Sequence, residues 1–505
     1  MSRDTARAAD YALASMPVFG VALVLYASTL LRDVGLWDTA EFQAIGPVLG
    51  TAHPTGYPTY TLLAWLASVV LQPFGNEAYR ADLLSALLMA AAAALLAVRA
   101  VQATQRWPLG LLAGFAFAVT PVAWHWSLRA DPHALHVFLA ALLLVLLAAW
   151  AGRRERDEQR AGWWLLAAAV VFGLSLGNHA LTLLLAPGIA AYVLMVAPRI
   201  LWRQWRLVLA CAGVIAVVTA LVYLYLPLRS AMDPPLDYAD PETWESFWYV
   251  VLGEQFQGSF GPLSPFADIV AGAWDELVRN LGFLSILAAA GAVLGLMLYP
   301  RLTVLGLLWF GCTWLFAMGY PNAAIERYYL VPLLVAALWI ALAADTIWDA
   351  LIEALGRPGR ERMAKVAAGA LVVVLLVAVA IPLPGRHAES DASADSRGRE
   401  FLDATFEALE PDAVVVSWWS FSTPLWYGRW VEERREDITI IDDRDILDDG
   451  FGDVESAIDH YLGERPVYLI RLKHDLEALR GRYELQPVTS VPADLYRVVG
   501  PLQAE

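Results

Sequence analysis

The sequence predicts a polytopic α-helical membrane protein of about 11 transmembrane helices with a C-terminal extracytoplasmic α/β domain. Three observations predict it. Hydrophobic residues make up 58% of the 505-residue chain and charged residues 17%, where a soluble domain carries about a quarter. Apolar runs approaching the ~20 residues that a spanning helix needs recur through the first 384 residues. Charge is divided unevenly: residues 1–384 carry 25 acidic and 22 basic residues, residues 385–505 carry 26 and 13. Thirteen of the sixteen net negative charges therefore belong to a water-soluble tail. Neither part has the basic surplus that phosphate backbones require, so nucleic acid is excluded as a partner. Cys211 and Cys312 lie inside apolar runs and read as small hydrophobes, which excludes a disulfide framework.

Twelve apolar candidates lie near residues 12–31, 59–74, 82–101, 109–127, 134–150, 162–177, 180–197, 207–228, 281–299, 302–319, 328–347 and 364–384. The first is not a cleavable signal, because no small-residue cleavage site follows its apolar core. Arginine sets the orientation, since basic loops stay in the cytoplasm. The basic loops are Arg153, Arg154, Arg156 and Arg160; Arg199, Arg203 and Arg206; and Arg357, Arg360, Arg362 and Lys365. They share one side only if one early candidate does not cross. Segment 59–74 is among the shortest and follows His53-Pro54-Thr55-Gly56-Tyr57-Pro58, so it is assigned to a first external loop, 32–81. Eleven spans then place the N-terminus in the cytoplasm of a cell membrane, with 16 basic residues of the body inside and 6 outside. A second external loop, 229–280, has the apolar spacing of a helix lying on the bilayer surface. The transmembrane domain is 1–384, the polar stretch 385–399 reads as a linker, and 400–505 as the soluble domain.

This topology gathers the unusual polar residues of the body on the external face. Asp38 and Glu41 lie three apart at the start of a short helical stretch, where they form either a capping box or an acidic pair placed to take a proton. Asp131 lies between Arg129 and His133. It is either a local partner of Arg129 or a second carboxylate converging on the first. With His133, and His136 three residues on along the same helical face, it is also the candidate ligand set for a divalent metal, the one cofactor considered. Glu326-Arg327-Tyr328-Tyr329 opens a span, where a guanidinium fork suits a phosphate and the rings suit an interface. His179 follows Asn178 at a helix junction. No Walker loop, GxGxxG, HExxH or GxSxG pattern occurs. Any activated donor on that face is therefore membrane-borne.

In the tail, residues 401–409 and 454–462 read as helices and 413–417, 438–441 and 467–470 as strands. The alternation predicts a small parallel sheet. Asp442, Asp443, Asp445, Asp448 and Asp449 follow a strand end and read as a solvated acidic loop or a ligand site.

Several runs carry a resemblance. Leu36-Trp37-Asp38-Thr39-Ala40-Glu41-Phe42, then Ala52-His53-Pro54-Thr55-Gly56-Tyr57-Pro58, resembles the opening pattern of a bacterial multi-pass family. That family also includes an animal endoplasmic-reticulum protein O-mannosyltransferase. Arg129-Ala130-Asp131-Pro132-His133 is similar to its second acidic motif, with Asp131 where Glu is common; Thr55 replaces the commoner proline. The tail run Ser417-Trp418-Trp419-Ser420-Phe421 resembles a segment of its bacterial members. More widely the chain resembles the GT-C glycosyltransferases, which use polyprenyl-phosphate-linked sugars. The resemblance implies Asp38 as catalytic base, Asp131 as a second site acid and Arg327 near the donor phosphate.

The expected function is inverting sugar transfer from a polyprenyl-phosphate donor to a hydroxyl of a protein or glycan acceptor on the extracytoplasmic face. The candidate catalytic residues are Asp38, Glu41 and Asp131. The candidate donor-phosphate and substrate contacts are His53, Tyr57, His133, His179, Glu326, Arg327 and Tyr328. A transporter or flippase of lipid-linked glycans is the chief alternative and would favour polar residues at mid-membrane depth. In a non-catalytic membrane scaffold, the third reading, the Asp38 and Asp131 carboxylates would be dispensable.

Overall fold

A computed structural model describes residues 3–320, 324–356, 360–492 and 494–502. All twelve apolar segments are helical within it. Among the described residues seven helices are long and apolar enough to cross a membrane: Arg7–Thr29, Glu77–Thr104, Pro132–Glu155, Trp205–Ser230, Pro300–Gly319, Ile325–Leu355 and Glu361–Ser390. An eighth span is a bent pair, Trp107–Ala118 and Pro121–Ser127, with a 69° break. Four shorter apolar helices, Pro58–Val70, Ala161–Leu176, Ala180–Val196 and Leu284–Leu298, fall below that length, so seven or eight of the expected eleven spans are long enough to cross. Arg357 of the third basic loop lies outside the described residues.

The first half uses helices α1 (Arg3–Thr29), α2 (Asp38–Val48), α3 (Pro58–Val70), α4 (Glu77–Thr104), α5 (Trp107–Ala118), α6 (Pro121–Ser127) and α7 (Pro132–Glu155). The segment assigned to the first loop is α3. Its 13 residues reach only about 20 Å, short of a ~30 Å hydrocarbon core. Close packing here follows from small residues. A Cβ at Gly110 would stand 2.8 Å from the Ala14 Cβ, and one at Gly114 2.8 Å from Val18, so α1 and α5 touch through glycine. The innermost helix is Ile325–Leu355, buried at every position from Leu330 to Asp345. Trp205–Tyr223, by contrast, buries no residue and lies at the rim, facing lipid.

The tail carries a five-stranded sheet of β1 (Val414–Ser417), β2 (Thr439–Ile441), β3 (Val467–Ile470), β4 (Tyr483–Pro487) and β5 (Leu495–Pro501) in the order β2-β1-β3-β5-β4. The expected parallel sheet is present as β2-β1-β3; β5 and β4 add an antiparallel edge, so the sheet is mixed. The stretch read as a linker contains most of helix Leu383–Ser390. Arg386 in it donates to the carbonyls of Val119 at 2.6 Å and Asn280 at 2.7 Å, which fixes it to the bundle.

The tail docks on the end of the bundle that carries the α1–α4 loop. Arg399 pairs with Asp33 at 2.6 Å. The Tyr427 hydroxyl takes the Ala78 N–H at 3.1 Å, and the Arg444 guanidinium lies 5.0 Å from the ring centre of Tyr249.

Candidate functional site

The N-terminus of α2 is set by an unusual residue. Trp37, at φ 57°, precedes Asp38 and makes no side-chain cap. Asp38 is therefore the first helical residue, and the capping-box alternative does not describe it. Its carboxylate instead takes a hydrogen bond at 2.6 Å from Nη1 of Arg327, 289 residues away in sequence. The same Nη1 donates to Asp131 Oδ2 at 3.1 Å. One guanidinium thus serves two carboxylates brought from α2 and from the start of α7.

Asp131 caps α7. Its Oδ1 accepts from the backbone N–H and from Nδ1 of His133, both at 2.7 Å. Burial alone would raise its pKa, but His133 and Arg327 outweigh that and hold it down to about 2. The local Arg129–Asp131 pair is not formed, because Arg129 turns to His125 Nε2 at 2.8 Å. With two carboxylates on one guanidinium the cluster keeps a net negative charge. Arg327 itself is buried, lies over the Trp126 ring at 5.5 Å, and has an Nε without a hydrogen-bond partner.

Glu41 is separated from this cluster by its partner. It accepts from the backbone N–H of His53 at 2.9 Å and from His53 Nδ1 at 2.5 Å. Burial lowers the pKa of His53, yet the Glu41 carboxylate more than offsets this and the value rises above the usual 6.5. Tyr57 completes the group: its hydroxyl lies 3.3 Å from His53 Nε2, and its ring packs edge-on against Phe42 and His179. Exposure separates the two acids. The Asp38 side chain is 26% exposed and that of Glu41 1%, so Asp38 is the carboxylate an incoming group can meet.

His179 caps the following helix, accepting the Leu181 N–H on Nδ1 at 3.1 Å. Burial first, then His133 and His136, pushes its pKa well below 6.5, so it is neutral. The rings of His133 and His179 lie 4.6 Å apart, and His133 stacks on Tyr328 at 5.2 Å. Glu326 does not join this cluster. It lies toward Glu276 instead, because the 3-10 turn Ile325–Tyr329 points successive side chains in different directions.

The donor set argues against the metal expectation. Among the described residues no group of three His, Cys, Asp or Glu side chains is arranged around a common point. Both Asp131 oxygens and His133 Nδ1 are already committed to hydrogen bonds. No step is therefore routed through a metal.

Three neighbours of the site were not singled out from the sequence. Asp82 and Gln43 hold the two acidic segments together, and an acid in an apolar helix is the signal that points to the former. Trp419 of the tail packs edge-on against His53, with ring centres 5.4 Å apart.

Residues 38–201 match the family model for the protein O-mannosyl-transferase TMEM260 N-terminal domain. The matched stretch contains Asp38, Glu41, His53, Tyr57, Asp131, His133 and His179, but not Arg327. The protein O-mannosyl-transferase TMEM260 of Mus musculus is 36% identical over 129 residues, covering 26% of this chain and 18% of that protein. Its Dictyostelium discoideum counterpart is 22% identical over 121 residues, 24% of this chain and 15% of that protein. The chain thus matches less than a fifth of either relative's length. Among solved structures, ArnT from Cupriavidus metallidurans bound to undecaprenyl phosphate superposes with a TM-score of 0.59 at 14% identity, covering 96% of this chain and 97% of that one. The Archaeoglobus fulgidus oligosaccharyltransferase gives a TM-score of 0.54 at 15% identity, covering 84% and 64%. At such identities the likeness is one of fold: the chain has the GT-C membrane architecture.

Proposed function

We propose that this chain is a membrane glycosyltransferase that moves a sugar, mannose first among candidates, from a polyprenyl-phosphate donor to a hydroxyl of a protein or glycan acceptor. The reading rests on the matched O-mannosyl-transferase domain and on one observation above all. Asp38 and Asp131 share the Nη1 of Arg327, while Nε of the same side chain has no partner. A guanidinium held at Nη1, with a buried Nε still unpaired, has bonding capacity left for a phosphate oxygen. The undecaprenyl phosphate in the ArnT structure of the same fold supports this donor class.

In the proposed reaction Asp38 takes the proton of the acceptor hydroxyl as its oxygen attacks the anomeric carbon. The bond from that carbon to the phosphate oxygen breaks, and its electron pair leaves with the lipid phosphate. Arg327 Nε–H donates to that oxygen as charge develops. Direct displacement puts base and leaving group on opposite faces of the sugar and inverts the configuration, which requires Asp38 to leave Arg327, now 2.6 Å away, as the substrate enters. Asp131 keeps Arg327 in place, and the Glu41–His53 pair shapes the wall beside Asp38. The reaction face is assigned to the extracytoplasmic side from the arginine distribution. The ionic cluster also sits at helix starts rather than at mid-span, which favours transfer over transport.

The test is purified protein incubated with a panel of polyprenyl-phosphate sugars and hydroxyl acceptors. Turnover of the mannosyl donor that Asp38→Asn abolishes is the expected result. Silence toward every donor, or undiminished transfer by a correctly inserted Asp38→Asn protein, overturns the reading.

A further inference from the structure

Asp82 lies near the start of α4, fully buried, and touches neither Asp38 nor Asp131. Its oxygens nevertheless meet both acidic segments. Oδ1 accepts the backbone N–H of Ala130 at 2.7 Å, one residue before Asp131. Both oxygens accept from Nε2 of Gln43, at 3.1 and 2.9 Å, on the helix that Asp38 begins. One turn further along α4, Ser85 Oγ accepts the N–H of Asp131 itself at 3.3 Å. Gln43 cannot reverse its amide freely. Its Oε1 accepts the Gly35 N–H at 2.8 Å, which leaves Nε2 to face Asp82 and, at 3.3 Å, the carbonyl of Asp33.

The chain Gly35–Gln43–Asp82–Ala130 thus gives every donor an acceptor: Gly35 donates to Gln43, and Gln43 and Ala130 both donate to Asp82. It ties the segment before Asp38 to the segment before Asp131 through one rigid helix. Arg327 can bridge the two carboxylates only while their spacing holds. Hydrogen bonds to a carboxylate in a buried setting are strong, and a half-satisfied network is worse than none.

We propose that Asp82, acting through Gln43 and Ala130, is a positioning residue that sets the separation of Asp38 and Asp131. It stands behind the two acids and contacts no substrate. The proposal rests on the transfer reaction above for its catalytic readout, but not for its structural one.

The donors and acceptors of the network supply the test. In Asp82→Asn the new amide either opposes Nε2 of Gln43, donor against donor, or turns its donor on the Ala130 N–H. In Gln43→Glu two carboxylates face each other in a buried site. Combining the two substitutions restores an acceptor for Gly35, a donor–acceptor pair between positions 43 and 82, and an acceptor for Ala130. Total charge is unchanged, and only the long contact to Asp33 is lost.

Each single variant is expected to lower kcat by about 100-fold with KM for donor and acceptor within about threefold, the signature of misplaced groups. The double variant is expected to recover to within about fivefold of wild type. Hydrogen exchange over peptides covering Gly35 and Ala130 is read on the same full-length proteins, fast in the singles and slow again in the double. Recovered exchange without recovered kcat overturns the positioning role. A double variant no better than the singles in both readouts overturns the network. A wild-type protein without transfer defeats the proposed function instead, and exchange alone then decides whether the network orders the two segments.

Discussion

Two acidic regions of the molecule behave in opposite ways. The tail holds five aspartates within eight positions, Asp442 to Asp449, whereas the body brings two, Asp38 and Asp131, to one arginine. Most of the tail cluster's bonds are local; Asp443 is the exception, pairing with Arg471 at 2.6 Å and accepting the Trp419 N–H at 3.2 Å. Asp442 accepts from the N–H of Arg444 and Asp445, Asp445 returns a bond to the Asp442 N–H, and Arg444 pairs with Asp448 four residues on. That is a capping box followed by a helical ion pair. Burial, then neighbouring acids, pushes Asp442 well above the usual carboxylate range and Asp445 to about 6. The body's carboxylates are paired across 289 and 196 residues by a cation that retains an unpartnered nitrogen. The density of charge in sequence is thus a poor guide to function. What sets the body apart is that one guanidinium there serves two carboxylates from different helices, with Nε left unpaired.

That contrast is open to attack, most sharply at Asp38. Asp38→Asn is expected to lower transfer about 1000-fold while the melting temperature holds, since a general base contributes on that order and the side chain is partly exposed. An equal loss from Asp448→Asn in the tail would erase the distinction. Asp131→Asn is expected to lower transfer by about 100-fold and stability by about 3 kcal/mol, because it strips a buried partner from Arg327. Paired activity and denaturation measurements check both.

The Glu41–His53 pair predicts a smaller, pH-dependent effect. The folded pKa of His53 is raised, so the pair stabilises the fold fully below the unfolded value of 6.5 and loses that contribution as pH rises through the folded value. The melting-temperature gap between wild type and His53→Gln should shrink as the pH is raised above 6.5. A gap that widens instead contradicts the pairing. The smallest effect belongs to the tail: Asp442→Ala should cost about 1 kcal/mol as a lost helix cap and leave transfer unchanged, as thermal melts and the transfer assay would show.

The bundle was legible because spanning helices write themselves as apolar runs, and even the short α3 was flagged by the arginine parity. The three parallel strands were legible as continuous apolar segments, Val414–Ser417 most clearly. The antiparallel edge was not. Tyr483–Pro487 reads YELQP and buries only Tyr483, so no apolar run betrays a strand. At the site, the residue types were visible while their partners were not. Nothing in spacing joins Arg327 to Asp38, and only the fold decides that Asp131 turns to Arg327 rather than to adjacent Arg129. Asp82 carried a signal, an acid inside an apolar helix, but its role depends on Gln43 and Ala130, which are unremarkable as sequence. Trp419 became a neighbour of His53 only through the docking of the tail.

The central claim is that Arg327 is held by two carboxylates and offers its remaining edge to a lipid phosphate. Its most direct measurement is the affinity of the purified protein for undecaprenyl phosphate in wild type and Arg327→Lys. Lysine retains the positive charge that pairs with Asp38 and Asp131 but lacks the second edge. The account predicts binding at least about tenfold weaker for Arg327→Lys and undiminished for Asp38→Asn. Equal affinity in wild type and Arg327→Lys would contradict it.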